Sequence, residues 1–187
     1  MVDYIFIRYI CIILYYSYYY ALAYGNIFVR GGGGFRVKQA NNVNIYNNYI
    51  DSSSTLNGAA PSPGIVFDVF NASYHQNVNV MHNTFIETPL NDISTVLSTD
   101  TVTFANNIFY SPTKSSMFLT TPSTTGYIKW YGNDFHNNDA TFNPPPTGNV
   151  NADPTLVKRS DGYYTAPPIS TLTPSRYQFN ISTIVLY

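Results

Sequence analysis

Charged residues are scarce in this chain. Asp, Glu, Lys and Arg make up 10% of 187 residues and the net charge is −1, against roughly a quarter charged in an ordinary soluble domain. So weak a field supplies no general attraction to nucleic acid or to an anionic membrane. Cysteine occurs once, at Cys11, which excludes an intramolecular disulfide framework and leaves the redox compartment open. No segment carries apolar residues at three-to-four spacing over helical length, which argues against a helical bundle. The HxxxH and CxxC spacings are absent and no carboxylates cluster, so nothing in the sequence marks a metal site. His82 and His136 fall at different places in the local pattern and bring no ligand partners. With 44% apolar residues a core can still form, and one domain is expected at this length.

What the chain has instead is a repeat. Asn42-Val-Asn-Ile-Tyr-Asn-Asn-Tyr-Ile-Asp51 recurs as 77–87, as 101–110 and as 127–136, with a weaker copy at Ala21–Phe28. In each copy an Asn precedes an apolar residue by two places: Asn26/Phe28, Asn48/Ile50, Asn83/Phe85, Asn107/Phe109 and Asn133/Phe135. In the four clear copies a Val or Ile stands five places before that Asn. Val43/Ile45, Val78/Val80, Val102/Phe104 and Ile128/Trp130 alternate with polar residues, the two-residue period of a strand. β-branched and aromatic side chains dominate them. Short strands in repeats of two to three dozen residues predict an all-β fold, a right-handed parallel β-helix of about five rungs. The repeated Asn then stacks at a bend and bonds along the axis, as in other amide ladders. The domain reading is an apolar leader at 1–23, the β-helix at 24–143 and a tail at 144–187.

The leader reads in three ways. Arg8, the apolar run and Ala21-Leu-Ala23 suit a secretory signal. The run just reaches membrane-spanning length, although its six Tyr residues between 15 and 24 suit an interface better. It also reads as strand-like sequence capping the first rung. Gly31–Gly34 lacks the spacing of a phosphate loop and reads as a tight bend. Phe35-Arg-Val-Lys-Gln39 puts Arg36 and Lys38 on one side of a strand, with Arg30 nearby. Guanidinium matches a carboxylate with two parallel bonds. Residues 51–76 form an inserted loop around a strand at 65–69, ending in Tyr74-His75, both able to bond a sugar. Asn71-Ala-Ser73 and Asn180-Ile-Ser182 are glycosylation sequons. Beyond Phe135 the repeat is not evident. Pro144-Pro-Pro146 opens a Pro- and Gly-punctuated tail expected to fold back over the strands.

The chain resembles the C-terminal part of polysaccharide lyase family 6, the chondroitinase B-like and alginate lyases. The residues that carry the resemblance are Gly25-Asn-Ile-Phe28, Gly33-Gly-Phe-Arg-Val37, Ile45–Asp51 and Tyr74-His-Gln76. Val80–Phe85, Phe104–Tyr110 and Ala152-Asp-Pro-Thr-Leu-Val157 with Asp161-Gly-Tyr163 follow in the family's order. The resemblance implies a secreted protein and β-elimination on an acidic polysaccharide, alginate or chondroitin/dermatan. In that chemistry calcium neutralises the uronate carboxylate, a Lys takes the proton and an Arg assists the leaving oxygen. The family's Lys, calcium-binding residues and Arg-His-Gly motif precede the Gly-Asn-x-Phe phrase. The corresponding stretch here, Tyr15-Tyr-Ser-Tyr-Tyr-Tyr20, holds none of them, so no catalytic residue or calcium ligand is assigned. Substrate-facing residues carry over as Arg36, Asp51 (where the family has Glu), Tyr74 and His75. Ser73 replaces an Arg of the pattern. The expected function is the non-cleaving portion of such a lyase, or alternatively a β-helix that binds glycans or serves as a surface scaffold.

Overall fold

The computed structural model describes residues 12–15, 20–29, 34–38, 41–51, 64–68, 76–88, 101–111, 128–136, 148–158, 160 and 164–165. Every regular element among them is a strand. Among the described residues there is no helix, and so none long and apolar enough to cross a membrane. Parts of the leader are strands: β1 is Ile12–Tyr15 and β2 is Ala21–Tyr24. Three parallel sheets carry the repeats. Sheet A contains β1, β4 (Phe35–Lys38) and β7 (Ile65–Asp68). Sheet B stacks β2, β5 (Asn41–Tyr46), β8 (Gln76–Met81), β10 (Val102–Ala105) and β12 (Ile128–Tyr131). Sheet C stacks β3 (Ile27–Val29), β6 (Tyr49–Asp51), β9 (Thr84–Ile86), β11 (Ile108–Tyr110) and β13 (Asp134–His136). β14 (Val157–Lys158) and β15 (Tyr164–Thr165) form an antiparallel pair. The parallel order is compatible with a parallel β-helix, and none of the sheets closes on itself among the described residues.

Register follows the repeat. Val43, Val78, Val102 and Ile128 are Cα partners in sequence, as are Ile45, Val80, Phe104 and Trp130. In sheet C the column is Phe28, Ile50, Phe85, Phe109 and Phe135. In sheet A, Phe35 and Val37 pair with Ile65 and Phe67. All these residues are buried in one core. A strand presents alternate side chains to opposite faces, so a slip of one residue would expose a whole column. Aromatic rings in successive strands therefore lie over one another. Phe85 on Phe109 and Phe109 on Phe135 each stack at 4.9 Å, and Phe104 stacks on Trp130 at 4.6 Å.

Gly34, the last residue of the glycine run and the one within the described residues, is required for closeness rather than for a turn. A Cβ built there meets the carbonyl oxygen of Gly64, the oxygen that accepts from Phe35 N at 2.9 Å. Backbone held in a ladder cannot step aside as a side-chain tip can. Gly34→Ala is expected to lower stability by about 1–3 kcal/mol, read as a lower denaturant midpoint with an unchanged slope.

Candidate functional site

The bend between sheets B and C is an asparagine ladder. The backbone N–H and the Nδ2 of Asn26 both donate to Oδ1 of Asn48, at 3.0 and 2.9 Å. Asn48 does the same to Asn83, Asn83 to Asn107, and Asn107 to Asn133, all at 2.8–3.0 Å. The second Nδ2 proton goes to a strand carbonyl: Asn48 to Ala23, Asn83 to Ile45, Asn107 to Val80 and Asn133 to Phe104. Each interior amide thus has its two donors and its acceptor filled, the condition for burying it.

The ladder runs one position further than the repeat read from sequence. Asn133 N and Nδ2 donate to Oδ1 of Asn149 at 2.9 and 3.0 Å, and Val150 bridges to Asp134 in parallel. The missed signal is the residue before each ladder Asn. Gly25, Asn47, His82, Asn106, Gly132 and Gly148 all have φ between 54° and 76°. Gly, Asn and His are the residue types most at ease there. Gly148-Asn149 belongs to that series although no Val or Ile precedes it by five.

Two of the four substrate-facing residues expected from sequence are described, and they stand on different sheets. Arg36 is exposed on the outer side of β4, with Lys38 half-buried two residues on and Phe35 and Val37 turned inward. Asp51 ends β6 on the outer side of sheet C, only 5% exposed, with Oδ2 accepting from Tyr49 Oη at 3.0 Å. Tyr74 and His75 lie outside the described residues, as do Arg30, both sequons, the Ser-rich loop at 52–55 and the Pro run at 144–146. No group of three His, Cys, Asp or Glu side chains converges among the described residues. They offer no carboxylate cluster for the calcium that the resemblance implies.

Sheet C is covered on its outer side. Tyr164, from the tail, packs with Tyr49 and Ile86, and with Val29, Tyr110 and Leu156 at the margin. Its N–H donates to Tyr49 Oη at 3.0 Å, its ring meets Tyr110 edge-on, and Lys158 Nζ lies 5.5 Å over it. Burial, then the carboxylate of Asp51, pushes the Tyr49 phenol well above its ordinary value. Burial is also the first cause of the upward shifts at Tyr110 and Tyr164, with Asp153 and Glu87 adding at the former. A phenol whose folded pKa is raised contributes stability that is complete below its unfolded pKa of about 10 and fades as pH climbs beyond it. Tyr49→Phe is expected to cost about 1–2 kcal/mol near neutral pH. It should also flatten the alkaline decline in a pH series of denaturant melts.

Comparison of the chain with protein-family models, with curated proteins and with solved structures finds no match. The functional reading therefore rests on the geometry and on the sequence motifs.

The outer side of sheet B has no cover among the described residues. One column runs Leu22, Asn44, Asn79, Thr103, Lys129, and the next runs Tyr24, Tyr46, Met81, Ala105, Tyr131. The amides are tied strand to strand. Asn79 Nδ2 donates to Asn44 Oδ1 at 2.9 Å and Asn77 Nδ2 to Asn42 Oδ1 at 2.8 Å. Asn44 Nδ2 donates to Tyr20 Oη at 2.6 Å. Read singly, these residues look like ordinary solvated strand positions. Only the register lines them up.

Proposed function

We propose that the chain is a right-handed parallel β-helix of about five rungs that holds an acidic polysaccharide against the outer side of sheet A. In this reading it is the polymer-binding part of a secreted protein similar to the family 6 lyases. The observation that carries it is the placement of Arg36 and Lys38. They project from the same side of β4, about 7 Å apart at two strand residues, with their neighbours locked into the core. A rigid strand holds two cations at a fixed spacing, and a fixed spacing suits a polymer with one carboxylate per sugar. The parallel stacking of repeats and the ladder of six asparagines support the β-helix itself.

The test uses alginate oligomers and the full chain. Arg36→Ala is expected to weaken binding about tenfold, equivalent to 1.4 kcal/mol, and the parent affinity should fall with added salt because the site is exposed. An unchanged affinity in Arg36→Ala would sink the proposal. With the lyase Lys and Arg-His-Gly unmatched in the sequence, the chain is expected to release no unsaturated uronate from alginate or dermatan with calcium present. A rise in ultraviolet absorbance under those conditions would make it a lyase in its own right.

A further inference from the structure

We infer that the edge of sheet C beside β3 is filled by this chain's own residues 3–8, which lie outside the described residues, as a further strand in the same parallel register. Among the described residues β3 ends its sheet and pairs on one side only, with β6. The asparagine ladder is open at the same place. Oδ1 of Asn48, Asn83, Asn107 and Asn133 each accepts two hydrogen bonds, whereas Asn26 Oδ1 accepts none from a described residue. Ile27, on this edge, is 39% exposed. The sequence supplies the occupant. Asp3-Tyr-Ile-Phe-Ile-Arg8 matches Gly25-Asn-Ile-Phe-Val-Arg30 at an offset of 22 residues, the interval that also separates Asn26 from Asn48. Asp3 falls where each described bend has its positive-φ residue, and Asp is among the types at ease there.

Topology leads to the same place. The chain passes from sheet C to sheet A at β3 to β4 and again at β6 to β7. β1 lies in sheet A, paired with β4, so by that order the strand before it belongs to sheet C. Residues 8–11 join the segment to β1, and residues 30–34 make the equivalent connection from β3 to β4. The bonds then follow from the repeat. The N–H after each ladder residue donates to the ladder carbonyl one strand back: Tyr49 to Asn26, Thr84 to Asn48, Ile108 to Asn83 and Asp134 to Asn107. The Ile27 N–H accordingly donates to Tyr4 O. Each ladder backbone N–H donates to the next Oδ1, so the Tyr4 N–H fills Asn26 Oδ1 without any help from its side chain. Tyrosine has no amide with which to carry the ladder further. Phe6 joins the inward column at Phe28, and Ile5 lies beside Ile27 on the outer side. The pairing also removes an edge that would template a second chain. None of this depends on the polyuronate reading of sheet A.

The experiment is amide hydrogen exchange on the full chain, with residues 3–8 verified by intact mass, and on Phe6→Thr and Ile5→Thr. Threonine is at home in a strand, so the two variants differ in which side of the strand they alter. The Ile27 rate is read relative to that of Ile108, whose N–H donates to Asn83 O within the stack, so that any general loosening cancels. Ile27 should be protected in the parent. Phe6→Thr should speed its relative exchange at least about tenfold, and Ile5→Thr should leave it within about twofold. Exchange of Ile27 at the rate of an unstructured peptide in the parent would overturn the inference. So would an unchanged rate in Phe6→Thr, or equal effects of the two variants. Protection of Ile27 that grows with protein concentration would give the edge to a second copy of the chain and overturn it as well.

Discussion

Asn107→Ala is expected to destabilise the fold by about 4 kcal/mol, the order of magnitude for two buried donors orphaned together. The side chain is fully buried, and its amide takes part in four hydrogen bonds. Oδ1 accepts the N–H and the Nδ2 of Asn83, and Nδ2 donates to Val80 O and to Oδ1 of Asn133. Alanine leaves two donors of Asn83 without partners, while the Val80 carbonyl keeps the ladder bond that its parallel pairing with Phe104 gives it from the Ala105 N–H. Asn133 Oδ1 fares better, because it still accepts from the Asn107 backbone N–H at 3.0 Å. Asn107→Asp keeps the shape but loses both donated bonds, and it sets a carboxylate against the Asn133 and Val80 oxygens. It should be at least as costly at neutral pH as alanine. Asn26→Ala, at the open end of the ladder, removes less: among the described residues the Asn26 side chain only donates, and it is partly exposed. Urea melts of the three variants check the ordering. Equal losses at Asn26 and Asn107 would show that the ladder does not share its load as the bonds suggest.

Trp130→Ala should cost about 3–5 kcal/mol, the range for removing a large buried aromatic. Trp130 is 1% exposed and ends the column that runs from Ala23 through Ile45, Val80 and Phe104. It stacks on Phe104, and Phe109 and Phe135 meet it edge-on at 6.4 and 5.7 Å. Alanine would leave a cavity against Phe104, Phe109 and Phe135, of which the last two are already stacked on each other, which limits their collapse. Trp130→Phe keeps a ring and should recover more than half the loss. Trp130 is also the chain's one tryptophan, so its fluorescence reports directly on whether the column is closed. In Asn107→Ala the emission should stay blue-shifted until the global transition. An early red shift in that variant would mean that the last repeats open on their own.

The repeat, the inward columns and the ladder were legible because each rests on short-range pattern. Val43/Ile45 and its copies alternate with a period of two, and the stacked register adds nothing that the alternation does not already require. The continuation at Asn149 was hidden because it lies 16 residues after Asn133, shorter than any earlier interval, and because Pro144 to Pro146 intervene. A bend needs only the positive-φ residue and the Asn that follows, and Gly148-Asn149 supplies both. Arg36 and Asp51, both expected to face substrate, stand on different sheets. Asn48 lies between β5 and β6, and the bend there turns Asp51 onto sheet C while Arg36 remains on sheet A.

By itself the sequence determined that the chain is built of strands and which side chains turn inward, because alternation and asparagine spacing are properties of neighbouring residues. It also determined that Arg36 and Lys38 share a side of their strand. Only the tertiary structure decided which outer faces are open. The tail brings Tyr164 onto Tyr49 across 115 residues and covers sheet C, an encounter that no local pattern encodes. The described residues leave sheet B bare, and its strands, up to 35 residues apart in sequence, bring Tyr46, Met81, Ala105 and Tyr131 into one column. The reason is physical: a parallel sheet aligns residues by hydrogen-bond register, whatever the length of chain between them.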